Sequence, residues 1–334
     1  MKKSLLLLIS CLMVVSVYSQ TAMEWYNNGT DKFEEGNTLG AIKDFTTAIS
    51  LDSNMAEAYM GRGSVYADIE QYNHALEDLT QCILIDPTIA DVFFNRAFVY
   101  MALGEQDKAL RDLNMYVVMK PNDMNGYLAR LDILIQQKEQ VKTYKDFEKI
   151  VSLRANGPEQ FVQRGRVKIL TGDSLGAIQD YDSAIMLNPT FMDAYFVRAD
   201  LFYFMNEFNK AIEDLNIYLM TVEKDWSAYQ LRAECYGFME EYTLAIDDYD
   251  RSLSINPENA NAYFDRGFFR LQTERFELSI KDFKRAIAYG YKDARLVYYN
   301  KGIAEYRIGN KEQACSDWVN AADIASEYVV KYCN

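Results

Sequence analysis

Residues 56–89 read AEAYMGRGSVYADIEQYNHALEDLTQCILIDPTI, and residues 90–123 read ADVFFNRAFVYMALGEQDKALRDLNMYVVMKPND. With Ala56 as position 1, Tyr59 falls at 4, Gly63 at 8, Tyr66 at 11, Ala75 at 20, Leu79 at 24, Cys82 at 27 and Pro87 at 32. A step of 34 residues lands on Phe93, Ala97, Tyr100, Ala109, Leu113, Tyr116 and Pro121. The spacing returns at Phe161, Gly165, Ala177, Tyr181, Ala184 and Pro189, then at Tyr229, Ala233, Tyr236, Ala245, Tyr249 and Pro257. Working back, Trp25, Gly29, Ala41, Phe45 and Ala48 keep it too. Nine repeats begin at residues 22, 56, 90, 124, 158, 192, 226, 260 and 295, with one extra residue near Gly290 ahead of the last.

Small residues at 8 and 20 let two helices approach, and large ones at 4, 11 and 24 fill the space around that contact, which makes one apolar stripe per helix. Proline at 32 stops the second helix. The pattern resembles the tetratricopeptide repeat family, and the resemblance covers nearly the whole chain after its leader. It implies an all-α fold, a right-handed superhelical α-solenoid of helix–turn–helix repeats over residues 20–328. A C-terminal cap or tail is expected over 329–334. One repeat cannot bury its own apolar face, so stability is shared among stacked neighbours.

The fourth repeat, 124–157, departs from the pattern. Leu131 stands at 8, Thr143 at 20, and no proline at 32. Drift in a repeat that still stacks is the simpler expectation; a change of curvature or a hinge is the alternative.

Residues 1–19 read as a signal peptide. Lys2 and Lys3 precede an apolar run from Leu5 to Val17, and Val17-Tyr18-Ser19 ends on a small side chain, leaving Gln20 first. The run is shorter than the about 20 residues of a membrane span. Cleavage is preferred to lipid anchoring at Cys11, because the residues after Cys11 stay apolar. The reading is an exported bacterial protein, periplasmic or secreted, with no membrane span in the mature chain. The net charge is −14, from 35 Lys and Arg against 49 Asp and Glu, which argues against nucleic acid as a partner.

Position 23 is aspartate in all nine repeats: Asp44, Asp78, Asp112, Asp146, Asp180, Asp214, Asp248, Asp282 and Asp317. Position 7 is arginine in seven: Arg62, Arg96, Arg130, Arg164, Arg198, Arg232 and Arg266. The ninth repeat has Lys301 there, and the first has Asn28. The first repeat has no preceding aspartate and alone lacks the base. The expectation is therefore a ladder in which each aspartate pairs with the base of the following repeat.

In the family, the first helix of each repeat lines a concave groove, with positions 2, 5, 9, 12 and 13 toward the ligand. Here these positions carry Phe94, Phe196 and Phe264 at 5, Phe98 and Phe268 at 9, Met101 and Tyr203 at 12, and Phe204 and Phe238 at 13. Aromatics at 5 are also common packing residues. Glu57, Asp91, Glu159 and Asp193 at position 2 would repel the carboxylate that one sub-family captures. The expected ligand is an apolar or basic-flanked polypeptide on an acidic-rimmed groove.

Cys82 and Cys235 sit at core positions, while Cys315 and Cys333 could staple a terminal helix or be held apart. The lone histidine, His74, falls in a turn. No cysteine or histidine spacing suits a metal, no glycine-rich phosphate loop or nucleophile elbow occurs, and no cofactor is implied. The expected function is a non-enzymatic protein–protein interaction scaffold. The alternative is an envelope carbohydrate-binding repeat protein using aromatic platforms; Trp25 and Trp318 occupy core positions and so do not serve it.

Overall fold

The computed structural model describes residues 21–333; the leader and Cys11 lie outside them. The described chain divides after Leu153 into two compact lobes. The N-terminal lobe holds repeats 1–4: α1 (Ala22–Glu34), α2 (Thr38–Leu51), α3 (Ala56–Asp68), α4 (Tyr72–Ile85), α5 (Ala90–Ala102), α6 (Gln106–Met119), α7 (Met124–Gln136) and α8 (Gln140–Ser152). The C-terminal lobe holds repeats 5–9: α9 (Pro158–Leu170), α10 (Ser174–Leu187), α11 (Met192–Phe204), α12 (Phe208–Thr221), α13 (Trp226–Phe238), α14 (Tyr242–Ile255), α15 (Ala260–Gln272), α16 (Phe276–Ala288), α17 (Ala294–Arg307) and α18 (Lys311–Asn320). A 3-10 turn (Ala322–Ala325) and α19 (Ser326–Tyr332) close the chain, so the cap starts earlier than residue 329. No strand occurs among the described residues.

Each repeat is an antiparallel helix pair, and its close approach is set by position 8. A Cβ added to Gly63 would lie 2.9 Å from Leu79, one at Gly165 2.5 Å from Tyr181, and one at Gly267 3.0 Å from Phe283, each time the residue at 24. These distances leave no room for a methyl group. In the fourth repeat Leu131 stands opposite Phe147, both buried, and α7 packs less closely on α8 than the helices of the other repeats do on each other. It remains a helix pair.

The turn inside every repeat uses one device. Position 15 is left-handed in all nine: Gly36, Gly104, Gly172 and Gly309, but also Glu70, Lys138, Asn206, Glu240 and Glu274, at φ between 57° and 92°. The first turn shows why. The Gly36 N–H donates to the Phe33 carbonyl (2.9 Å) and the Asn37 N–H to the Lys32 carbonyl (2.8 Å), which satisfies the helix end. The same device explains the extra residue before repeat 9. Gly290 takes φ +77°, and the Tyr291 N–H reaches back to the Ala286 carbonyl (2.9 Å), which closes α16 without a proline.

Within each lobe the first helices of successive repeats touch one another: α1 with α3, α3 with α5, α9 with α11, α11 with α13, and α15 with α17. Second helices do not approach each other as closely, so the first helices line the inner side. At the C-terminus Cys315 and Cys333 form a disulfide, with Cα atoms 5.6 Å apart. It closes over Trp318, against which Tyr306, Tyr328 and Tyr332 pack. Cys82 and Cys235 are free and buried, and burial pushes both thiols up to about 12. No described helix is long and apolar enough to cross a membrane.

Candidate functional site

The charge ladder exists, but its expected pairing is wrong. Each arginine at 7 clamps the aspartate at 23 of its own repeat: Arg62 with Asp78, Arg96 with Asp112, Arg130 with Asp146, Arg164 with Asp180, Arg198 with Asp214, Arg232 with Asp248, and Arg266 with Asp282. The Nε and Nη2 atoms donate at 2.5–2.9 Å. Lys301 does the same for Asp317. The first repeat is not an exception of chain order. Lys32, one turn after Asn28, supplies the base for Asp44. Position 11 helps again where Lys168 meets Asp180 (2.9 Å) and Arg270 meets Asp282 (2.8 Å).

The repeat-to-repeat link comes from the third arm of the fork. Nη1 of the arginine donates to position 25 of the preceding repeat: Arg62 to Thr46 (3.0 Å), Arg96 to Thr80 (3.2 Å), Arg130 to Asn114 (2.9 Å), Arg232 to Asn216 (2.7 Å), Arg266 to Asp250 (2.6 Å), and Arg198 to Asp182. Only a guanidinium has donors in a fork that reaches both partners. In six repeats its carbon also lies 5.3–5.8 Å from the aromatic ring at position 4. All nine aspartates are buried, at 1–6% exposure. The hydrogen bond to Asp78 raises the pKa of Arg62, and that to Asp112 raises Arg96. The ladder therefore holds the helix pairs together and is not free to receive a ligand.

The aromatic candidates separate into three groups. Phe94, Phe98 and Met101 lie in the N-terminal lobe. Phe94 stacks between Phe98 (4.8 Å) and Tyr116 (4.7 Å), Met101 packs on the Ala97–Leu113 cluster, and Phe98 remains 48% exposed. In the C-terminal lobe, Phe196 packs on Tyr218 (5.2 Å) as a core ring, and Phe204 is 71% exposed beside Tyr203. The remaining four, Tyr203, Phe238, Phe264 and Phe268, meet around one cavity of about 620 Å³. Phe238 lies 5.9 Å from Tyr203 and is held by Phe208, stacked at 4.9 Å. Phe264 is itself buried, pinned by Tyr291 at 4.4 Å. Gly237 lies where a Cβ would meet Phe269 at 2.3 Å, so this wall is built for a bare backbone.

Choosing aromatics at the groove positions misses the polar part of this cavity: Glu234 on α13, itself at groove position 9, Asp265 on α15, Tyr249 on α14, and Asn300 on α17. One signal was present, because Asp265 is the only acid at position 6 in the nine repeats. Burial, with the charge of Glu234 added to it, holds the Asp265 carboxyl up at about 7. Glu234 is fixed by a relay in which Asn259 donates to Gln230 (2.9 Å) and Gln230 donates to Glu234 (2.9 Å). The Tyr249 hydroxyl is buried, at 0% exposure of its residue, and faces the Asp265 carboxyl. The position-2 acids Glu57, Asp91, Glu159 and Asp193 are all exposed, with Asp91 tied to Lys120 at 2.6 Å. Among the described residues, no group of three or more His, Cys, Asp or Glu could hold a metal ion.

Comparison with known proteins agrees with this architecture. A family model described as tetratricopeptide repeat matches residues 56–89 and 227–259, and a second of the same description matches 270–329. The first match coincides with the second repeat as numbered above. These stretches are tetratricopeptide repeats. It is similar to the C-terminal part of a TPR repeat-containing protein from Cytophaga hutchinsonii, at 19% identity and a TM-score of 0.58, over 72% of this chain and 99% of that one. MamA shows 22% identity over 50% of this chain and 97% of its own, at a TM-score of 0.46. A tetratricopeptide repeat protein from Parabacteroides merdae shows 20% identity over 85% and 98%, at 0.36. At these identities the likeness is one of fold. A search of curated proteins finds no match.

Proposed function

We propose that the protein is a non-catalytic scaffold that binds a polypeptide segment along the first-helix face of its C-terminal lobe, in the cell envelope or outside the cell. Tetratricopeptide repeats serve as protein-interaction modules, which supports the class. The observation that carries the site is the cavity of about 620 Å³, where rings from α11, α13 and α15 converge instead of packing shut. Clustered, partly exposed aromatics are the usual anchors of an interface. Phe238, 62% exposed, lies at its mouth. The cavity offers one amide, Asn300, against seven aromatic residues and two acids, which favours a polypeptide over a sugar. Export is supported by the basic and apolar leader and by the Cys315–Cys333 disulfide, a bond that persists in oxidising compartments.

Affinity capture from an envelope extract tests the reading, comparing the wild type with Phe238→Ala/Phe268→Ala. Loss of one or more bound proteins with the double variant is expected. An unchanged set of bound proteins would remove the cavity from the binding surface.

A further inference from the structure

We propose that the cavity between α11, α13, α15 and α17 receives a cationic side chain, arginine or lysine, of the bound polypeptide. The proposal rests on the scaffold reading and specifies its ligand. Its starting point is an imbalance of charge. Every position-23 aspartate has a base within ion-pair distance. Glu234 and Asp265 line a cavity and face each other's charge, yet neither forms an ion pair with any described Lys or Arg. A half-buried carboxylate without a counter-charge is unfavourable, and two near each other more so. A cation entering between them removes both penalties.

The surroundings suit a cation on a stem. Tyr203, Phe238 and Phe268 line the cavity, and the faces of such rings attract guanidinium and ammonium groups. The Tyr249 hydroxyl, buried in the cavity wall beside Asp265, adds an oxygen that can accept from an N–H. Glu234 is already oriented by Gln230, so its carboxylate is positioned before a ligand arrives. An anion would meet two acids and no base. A free metal ion would find two carboxylates rather than a full ligand set. A polypeptide also has a neighbour to contact, because the exposed Glu159 adds an acid along the same first-helix face.

The cavity also makes binding depend on pH. The groups facing Asp265 are Glu234 on α13, Tyr249 on α14 and Tyr291 ahead of α17, with Tyr203 and Asp200 of α11 beyond Glu234. Burial raises the phenols above their usual range, so Asp265 is the group among these that changes near neutrality. Asp265 loses its proton as pH rises through about 7, and the attraction for a cation grows with it.

Calorimetric titration of the full chain with the peptides acetyl-Ala-Ala-Xaa-Ala-Ala-amide tests the proposal, with Xaa arginine, lysine, citrulline or norleucine. At pH 8 the arginine and lysine peptides should bind at least about tenfold more tightly than the citrulline and norleucine peptides. Glu234→Gln/Asp265→Asn should abolish that preference while keeping the helical circular dichroism of the wild type. The arginine peptide should bind more weakly at pH 6 than at pH 8. Norleucine binding as tightly as arginine would overturn the cation while leaving an apolar polypeptide groove. Equal arginine binding by the double variant, or no binding of any peptide, would also overturn it, and the Phe238→Ala/Phe268→Ala capture would then decide the scaffold reading separately.

Discussion

Two regions of this protein bury carboxylates in opposite ways. Between the helices of each repeat, an aspartate at 23 is held by two arms of an arginine fork, and the third arm ties the preceding repeat. On the first-helix face of repeats 7 and 8, Glu234 and Asp265 are enclosed by rings with no base opposite. The first arrangement is complete within the chain. The second is complete only with something added. The contrast separates structural charge from binding charge more clearly than burial or composition does.

The largest effect should come from breaking the complete region. Arg232→Ala leaves Asp248 buried and unpaired and releases Asn216. A loss of about 3–5 kcal/mol is expected in urea unfolding followed by circular dichroism. A loss under about 1 kcal/mol would mean the ladder behaves like surface ion pairs.

The incomplete region should respond with the other sign. The unfolded carboxyl has its ordinary value of 3.8, whereas the folded Asp265 holds its proton up to about 7. The folded state therefore binds the extra proton between these values, and stability is lost as pH rises from about 4 to about 7. Asp265→Asn removes the penalty. It should match the wild type near pH 4 and exceed it by up to about 3 kcal/mol at pH 8. Destabilisation by this variant at pH 8 would show that Asp265 has a counter-charge inside the fold.

Smaller effects sharpen the geometric side of the comparison. Gly165→Ala would press a methyl group on Tyr181 beside the Arg164–Asp180 pair, and a loss of about 1–3 kcal/mol is expected from thermal melting. Glu240 sits at φ +60° at position 15, directly after the cavity helix α13. Glu240→Gly should be neutral or stabilising by up to about 1 kcal/mol, since glycine adopts this conformation without strain.

Much of this was legible in the residues. The 34-residue step sets the helix pairs, because the small residue at 8 and the large one at 24 have to meet. The ladder residues were also legible, but their partners were not. A period of 34 does not say whether a first helix leans on its own second helix or on the one before. Here it leans on both, Arg62 reaching Asp78 and Thr46 at equal separations along the chain. The apparent exception at Asn28 misled for a similar reason: Lys32, one helical turn on, points the same way. At the cavity, Tyr203, Phe238, Phe264 and Phe268 were visible as aromatics on groove positions. Tyr249 was not, because position 24 is a core position and only its place beside Asp265 gives it a second role. Asp265 was detectable as the lone acid at position 6. Its significance depends on which base fails to reach it, and that is a three-dimensional fact.

The most direct test of the contrast is the titration of the Asp265 side-chain carboxyl by carbon-13 NMR in the full chain. The account predicts a midpoint near about 7 in the free protein, moving down when the arginine peptide is added. A midpoint near 4 in the free protein, unmoved by the peptide, would show that the carboxylate already has its counter-charge and would contradict the account.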